Sequence, residues 1–257
     1  MRKINKIYDK KGQIAIFVII AIVIVAILVI FFMINRKPIL PNQEEFNLQS
    51  SIEKCTRDSS EEALDIMIPQ GGFIEPENYK TYKNIKTTYL CQNTGYFKPC
   101  ISQHPMLINE EINEVENYIT PLIEQCFLTV KTELEKRNYA VTLEPMKLNV
   151  SFGTNKVLVS INRKISLTKN EQTSRFDEFN IAITNPIYDL SKVAIEIASQ
   201  EAKFCYFEYV GYMILYPKFS IEKFAFSDAT KIYSIRDKNS NKEMNIATRS
   251  CAIPPGI

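Results

Sequence analysis

One histidine, six cysteines and a few clusters of carboxylates and amides are the residues of this 257-residue chain that could do chemistry. His104 stands in Ser-Gln-His-Pro, four residues after Cys100. A Cys–His pair can make a thiolate nucleophile or supply two zinc ligands. No second histidine and no Cys-x-x-Cys supports either, so a loop histidine is favoured. Glu110, Glu111, Glu114 and Glu116 look like paired carboxylates, but their spacing reads as the solvated face of a helix. Asp237, Asn239 and Asn241 match the first half of a calcium loop. Its sixth position is Lys242 where glycine is needed, and its twelfth is Thr248 where a bidentate glutamate belongs, so a polar hairpin turn is expected. Gln70-Gly71-Gly72 could cradle a phosphate, yet no Lys-Ser/Thr follows and no strand precedes it, which leaves a helix C-cap. Gly-x-Ser-x-Gly, His-Glu-x-x-His and P-loop signatures are absent from the sequence. The expectation is a non-enzyme with no catalytic residue, no cofactor and no metal ligand.

The elements that hold these residues follow from periodicity. From Phe46 to Ile68, Leu48, Ile52, Cys55, Ala63 and Met67 recur at helical spacing until Pro69 and Gly71-Gly72 end the pattern. Residues 73–105 are tyrosine-rich, with a short hairpin expected around Thr87–Leu90 and the turn Asn93-Thr94-Gly95. Ile108, Ile112, Val115, Ile119, Leu122, Cys126, Val130 and Leu134 predict a second helix. Pro121 within it implies a kink, or a break with Thr120 as a new N-cap. The period then becomes two, through Leu148, Val150 and Phe152, Val157, Val159 and Ile161, and Phe179, Ile181 and Ile183. Three antiparallel strands follow. Asn185-Pro186 opens a third helix with Ile187, Leu190, Ala194 and Ile197 inward, running past Cys205 toward Gly211. Tyr206, Phe207, Tyr209, Tyr212, Tyr216 and Phe219 read as core filling, with a partner- or glycan-contacting patch as the alternative. Residues 231–237 and 244–249 predict a last hairpin. Asn149-Val150-Ser151 is a glycosylation sequon in mid-strand, a position that argues against occupancy.

Residues 14–34 organise the whole. They carry no charge, proline or glycine, and as a helix they reach about 30 Å, the thickness of a bilayer's hydrocarbon core. Arg2, Lys3, Lys6, Lys10 and Lys11 against Asp9 give the first 12 residues +4. The whole chain carries +2, which leaves −2 for the remainder. The basic flank predicts a cytoplasmic N-terminus and an extracytoplasmic C-terminal part. The near-neutral remainder offers no field for nucleic acid. A removed secretory signal fits poorly, since the run is long and Phe31-Phe32-Met33-Ile34 is no small-residue site. The expected organisation is a basic segment (1–13), a transmembrane helix (14–34), a linker (35–45) and one α+β domain (46–257). Residues 46–140 should be mainly helical, and 141–257 sheet plus helix, with the sheet antiparallel.

All six cysteines follow the run, on the oxidising side, so three disulfides are expected. Cys91 and Cys100 flank a turn and should close it. Cys55 and Cys126 lie on the apolar stripes of two helices and could staple them. Cys205 is left for Cys251.

Lys10-Lys11-Gly12-Gln13 before the run resembles the class III (prepilin-type) signal of archaeal type IV pilin-like proteins. The resemblance implies cleavage by a prepilin peptidase between Gly12 and Gln13, with the apolar segment kept as filament core or anchor. Phe17 stands at the fifth mature position, where many pilins place glutamate, and Pro38 and Pro41 should break the long helix of pilins. The whole chain is similar to uncharacterised signal-anchored surface proteins of archaea, a likeness that implies no activity. The leading expectation is a single-span membrane protein with a structural or interaction role at the cell surface. Its partners would be the lipid bilayer, a prepilin peptidase and other surface or pilin-like proteins, with no nucleic acid. The alternatives are a minor pilin-like filament subunit and an anchored hydrolase or binding receptor.

Overall fold

The computed structural model describes residues 47–251, together with residues 20, 22–29 and 31 of the apolar run. The fold divides between Phe46 and Asn47. Gly12, Gln13 and most of the 14–34 run lie outside the described residues. Residues 22–29 are helical. Among the described residues no helix is long and apolar enough to cross a membrane.

From Asn47 onward the domain is α+β. Helix α1 (Leu48–Met67) starts where Asn47 Oδ1 accepts from the Ser50 amide. It tightens into one 3-10 turn (Ile68–Gln70) and stops at Gly71, which is left-handed at φ +80°. β1 (Tyr79–Tyr82) and β2 (Ile85–Gln92) form a hairpin, and β3 (Ile101–Ser102) returns to the far end of β2. Helix α2 (Leu107–Lys136) runs unbroken through Pro121. The missing amide falls on the exposed side, and Thr120 sends its Oγ1 back to the Glu116 carbonyl rather than capping a new helix.

β4 (Ala140–Leu143), β5 (Lys147–Gly153), β6 (Lys156–Lys169) and β7 (Gln172–Thr184) make an antiparallel sheet. β4 and β5 share one edge of the long β6, and β7 takes the other. Its inner face is Val150, Val157, Val159, Ile161, Phe179, Ile181 and Ile183, all buried, and α1 and α2 pack against this sheet. Helix α3 (Ile187–Phe204) ends at Cys205, left-handed at φ +53°. It does not continue toward Gly211. A separate short helix, α4 (Tyr209–Leu215), is capped by Glu208.

β8 (Phe219–Ala225), β9 (Thr230–Asp237) and β10 (Glu243–Arg249) complete the first sheet, in the order β1-β2-β10-β9-β8. Here the expectation of an antiparallel sheet needs correction. β10 lies parallel to β2, pairing Ala247 with Tyr89 and Arg249 with Gln92. Strands read as hairpins from local pattern are antiparallel by construction. This pair joins segments about 160 residues apart and leaves no local signature. α3 packs on this sheet and touches α2 as well.

Candidate functional site

The six cysteines form three pairs, Cys55–Cys126, Cys91–Cys100 and Cys205–Cys251, with Cα–Cα distances of 6.5, 5.4 and 5.5 Å. The first staples α1 to α2, the second closes the loop between β2 and β3, and the third ties the end of α3 to the residue two beyond β10. Cys100 is thus taken, and it offers His104 no thiol.

His104 lies on the link from β3 to α2. Its Nδ1 is 2.6 Å from Glu110 Oε2, and its ring packs on Phe73 with centroids 4.5 Å apart. It lines two open clefts. One, of about 490 Å³, lies between Leu90, Pro105, Leu107 and the Ile195–Lys203 side of α3. The other, of about 290 Å³, is bounded by Phe73, Glu75, Glu77 and Glu114. A histidine oriented by a carboxylate is half of an acid–base site. Glu114 is already committed as acceptor for the Ile74 amide, 3.3 Å away. No group of three His, Cys, Asp or Glu residues capable of holding a metal ion occurs among the described residues.

The reading of the α2 glutamates as a solvated face is corrected. Glu111 is fully buried, and its carboxyl accepts from Ser191 Oγ of α3 at 2.6 and 2.8 Å. Burial drives its pKa well above the usual carboxylate range, against the lowering effect of the Ser191 bond. Gly72, at φ +96°, passes so close that an added Cβ would overlap the Glu111 carboxyl. Glu116 Oε1 accepts from the Val150 amide at 2.6 Å and so caps the outer edge of β5. The buried stripe of α2 is Leu107, Glu111, Val115, Ile119, Ile123, Phe127, Val130 and Leu134. Ile108, Ile112 and Cys126 are half-buried and Leu122 is exposed.

A second buried cluster escaped the sequence reading. Glu201, fully buried on α3, accepts from Tyr233 Oη at 2.5 Å, from Lys231 Nζ at 2.7 Å and from Ser250 Oγ. Lys231 also reaches the Cys205 carbonyl at 2.6 Å. Burial, then the Glu201 charge, pushes the Tyr233 phenol far up, so it stays protonated and donates. The signal was spacing: Glu111 and Glu201 stand four residues from buried neighbours, at positions an apolar side chain would take. Arg163, also buried, forks onto Glu124 at 2.7 and 2.9 Å and stacks over Phe127.

The other sequence candidates are structural. Asp237 Oδ1 accepts from the Asn239 and Ser240 amides and from the Ser240 hydroxyl and so closes its own turn, while Oδ2 lies 3.8 Å from Lys218 Nζ. Gln70 Nε2 donates to the Ile66, Phe73 and Ile74 carbonyls and locks the loop after α1. The aromatic run divides. Phe207 and Phe219 are buried, while α4 exposes Val210, Ile214 and Leu215, the last two by about three quarters, with Tyr216 beside them. No family model matches the chain, and no curated protein or solved structure matches it.

Proposed function

We propose that this is a single-span, membrane-anchored extracytoplasmic protein whose domain serves structure or interaction at the cell surface. The observation that carries the reading is the set of three disulfides on the part of the chain that follows the uncharged run at 14–34, because disulfides form and persist in oxidising compartments. The basic residues at 1–11 favour the cytoplasmic side for the N-terminus. Of the ionisable groups that could do acid–base work, Glu111 and Glu201 with its Lys231 are tied up at packing seams. His104, bonded to Glu110, does line two clefts, but the Glu114 beside it is already committed to the Ile74 amide. That favours a non-catalytic role. The apolar tip of α4, with tyrosines beside it, supports a contact surface. The test is membrane fractionation with protease added to intact cells whose outer wall is permeabilised. The domain should be digested, and its protection until the membrane is lysed would refute the orientation.

Lys10-Lys11-Gly12-Gln13 favours a second reading, a minor pilin-like subunit processed by a prepilin peptidase. Intact mass of the membrane-extracted protein decides processing. Loss of residues 1–12 supports cleavage after Gly12, and Gly12→Phe should block it. Recovery in sheared filaments would separate a filament subunit from a lone anchor.

A further inference from the structure

We propose that Asn149 is an N-glycan attachment site on the outer face of the second sheet. The proposal rests on the extracytoplasmic placement argued above. Asn149-Val150-Ser151 is the single Asn-x-Ser/Thr sequence, with x other than proline, in the chain. A mid-strand position argued against use, but the structure shows which way the strand faces. Val150 turns into the core at 3% exposure, while Asn149 and Ser151 are both exposed on the opposite face. Side chains two apart on a strand share a face, about 7 Å apart. The carboxamide and the hydroxyl that define the acceptor therefore point the same way.

The surroundings are open. Across from Asn149 is Ser160, and across from Ser160 is Asn180. Those two bond each other at 2.7 Å, and the Asn149 carboxamide has no hydrogen-bond partner among the described residues. The outer faces of β5 and β6 and the second half of β7 carry small side chains around it, Ser151, Ser160, Asn180 and Ala182. Leu158, opposite Ser151, is the one large apolar side chain there, 36% exposed. A first sugar on Asn149 has a C–H face to lay over it.

The transfer balances simply. Asn149 Nδ2 attacks the anomeric carbon of a lipid-phosphate-linked oligosaccharide. The bond from that carbon to the phosphate oxygen breaks, the lipid phosphate leaves with the electron pair, and the amide nitrogen loses one proton to the medium. In the folded domain residues 149–151 are held on both edges, by β6 on one and by Glu116 at the Val150 amide on the other. The modification is therefore made before β5 closes on β6, and the folded, unmodified protein is not an acceptor.

The test is mass spectrometry of the full-length protein from the cells that naturally make it. The tryptic peptide 148–156 should carry a glycan in most molecules. Asn149→Gln and Ser151→Ala should abolish it, and Ser151→Thr should retain it. Because both side chains are exposed, all three variants should fold and keep three disulfides. A peptide 148–156 found mostly unmodified in protein that external protease digests overturns the proposal alone. A domain protected from that protease overturns the placement and the proposal with it.

Discussion

Breaking the Cys55–Cys126 bond should cost this domain more than any other single disulfide. The bond joins residues 71 apart, against 46 for Cys205–Cys251 and 9 for Cys91–Cys100. If a disulfide acts by restricting the unfolded chain, these loops correspond to about 4.4, 4.0 and 2.6 kcal/mol. The smallest loop is nested in the largest, but shortening the outer loop by its length changes the outer contribution by only about 0.1 kcal/mol. The three nearly add, to about 11 kcal/mol, which is comparable with the whole stability of an ordinary domain. Cys55 and Cys126 are half-buried, whereas the other four sulfurs are buried. The double variant Cys55→Ala/Cys126→Ala therefore reads the loop with little added packing loss. In urea, followed by the near-ultraviolet signal of the tyrosines, its midpoint should fall by about 2 M for a slope of about 2 kcal/mol/M. Reductant should open this bond first, and all three together should leave a chain without tertiary signal. A midpoint shift under about 0.5 M at unchanged slope would sink the loop argument. Recovery of Cys55 and Cys126 as free thiols in the native protein would sink the pairing.

Glu111 gives a pH test. Its folded pKa is raised by burial, so the native state keeps a proton that the unfolded chain has released. Stability should then fall by about 1.4 kcal/mol per pH unit as pH rises from the unfolded value toward the folded one. Glu111→Gln keeps the shape and should flatten that slope, which urea midpoints between pH 4 and pH 8 will show; equal slopes would count against a buried neutral acid. Glu201→Gln leaves Lys231 facing a neutral amide at a buried seam and should cost about 3 kcal/mol, whereas Glu201→Leu with Lys231→Met should lose much less, as thermal unfolding of both variants will reveal. Gly72→Ala meets the Glu111 carboxyl in a left-handed backbone and should cost about 1–3 kcal/mol, against under about 0.5 for Gly95→Ala, where the added Cβ meets only the flexible Lys98 side chain at an ordinary contact distance of 3.6 Å.

How legible each part was depends on how local its cause is. The cores of β5, β6 and β7 follow directly from an apolar period of 2, and α1 is legible as a helix from its period of 3.6, although it meets both α2 and β7 and its buried line runs through Thr56, Ser60 and Leu64 rather than Cys55. α2 was harder. It meets α1, α3 and the second sheet, so apolar residues occur on more than one side, and Ile108, Ile112 and Leu122 draw the inferred stripe off the buried line through Ile123 and Phe127. The far half of the β6–β7 hairpin was silent, since Arg175 and Asp177 are exposed and Gln172–Ser174 are polar on both faces. Its turn, at Asn170 and Glu171 with positive φ, lacks the glycine that marks such turns. Non-local pairing of β2 with β10, and buried carboxylates with partners 80 and 30 residues away, are set by tertiary contact that no window of sequence contains.

Both carboxylates tie down one helix, α3. Ser191 near the start of α3 meets Glu111 of α2, and Glu201 near its end meets Lys231 and Tyr233 of β9 and Ser250 just beyond β10. Ten residues of helix separate the two seams, about 15 Å. An apolar stripe alone allows a helix to slide or rotate by a few degrees with little penalty, since one aliphatic contact replaces another. A buried carboxyl bonded to matched donors, one hydroxyl for Glu111 and three donors for Glu201, does not, because a shift of an ångström or two leaves it unsatisfied. Two such contacts, one at each end, fix the translation and the rotation of α3 together, and the Cys205–Cys251 bond holds the second where the chain nears its end. Since α3 is the helix that touches both α2 and the first sheet, fixing it also fixes how the two halves of the domain meet. The polar chemistry of this chain therefore sits where it specifies one arrangement of a rigid body. The surface role proposed above would draw on that property.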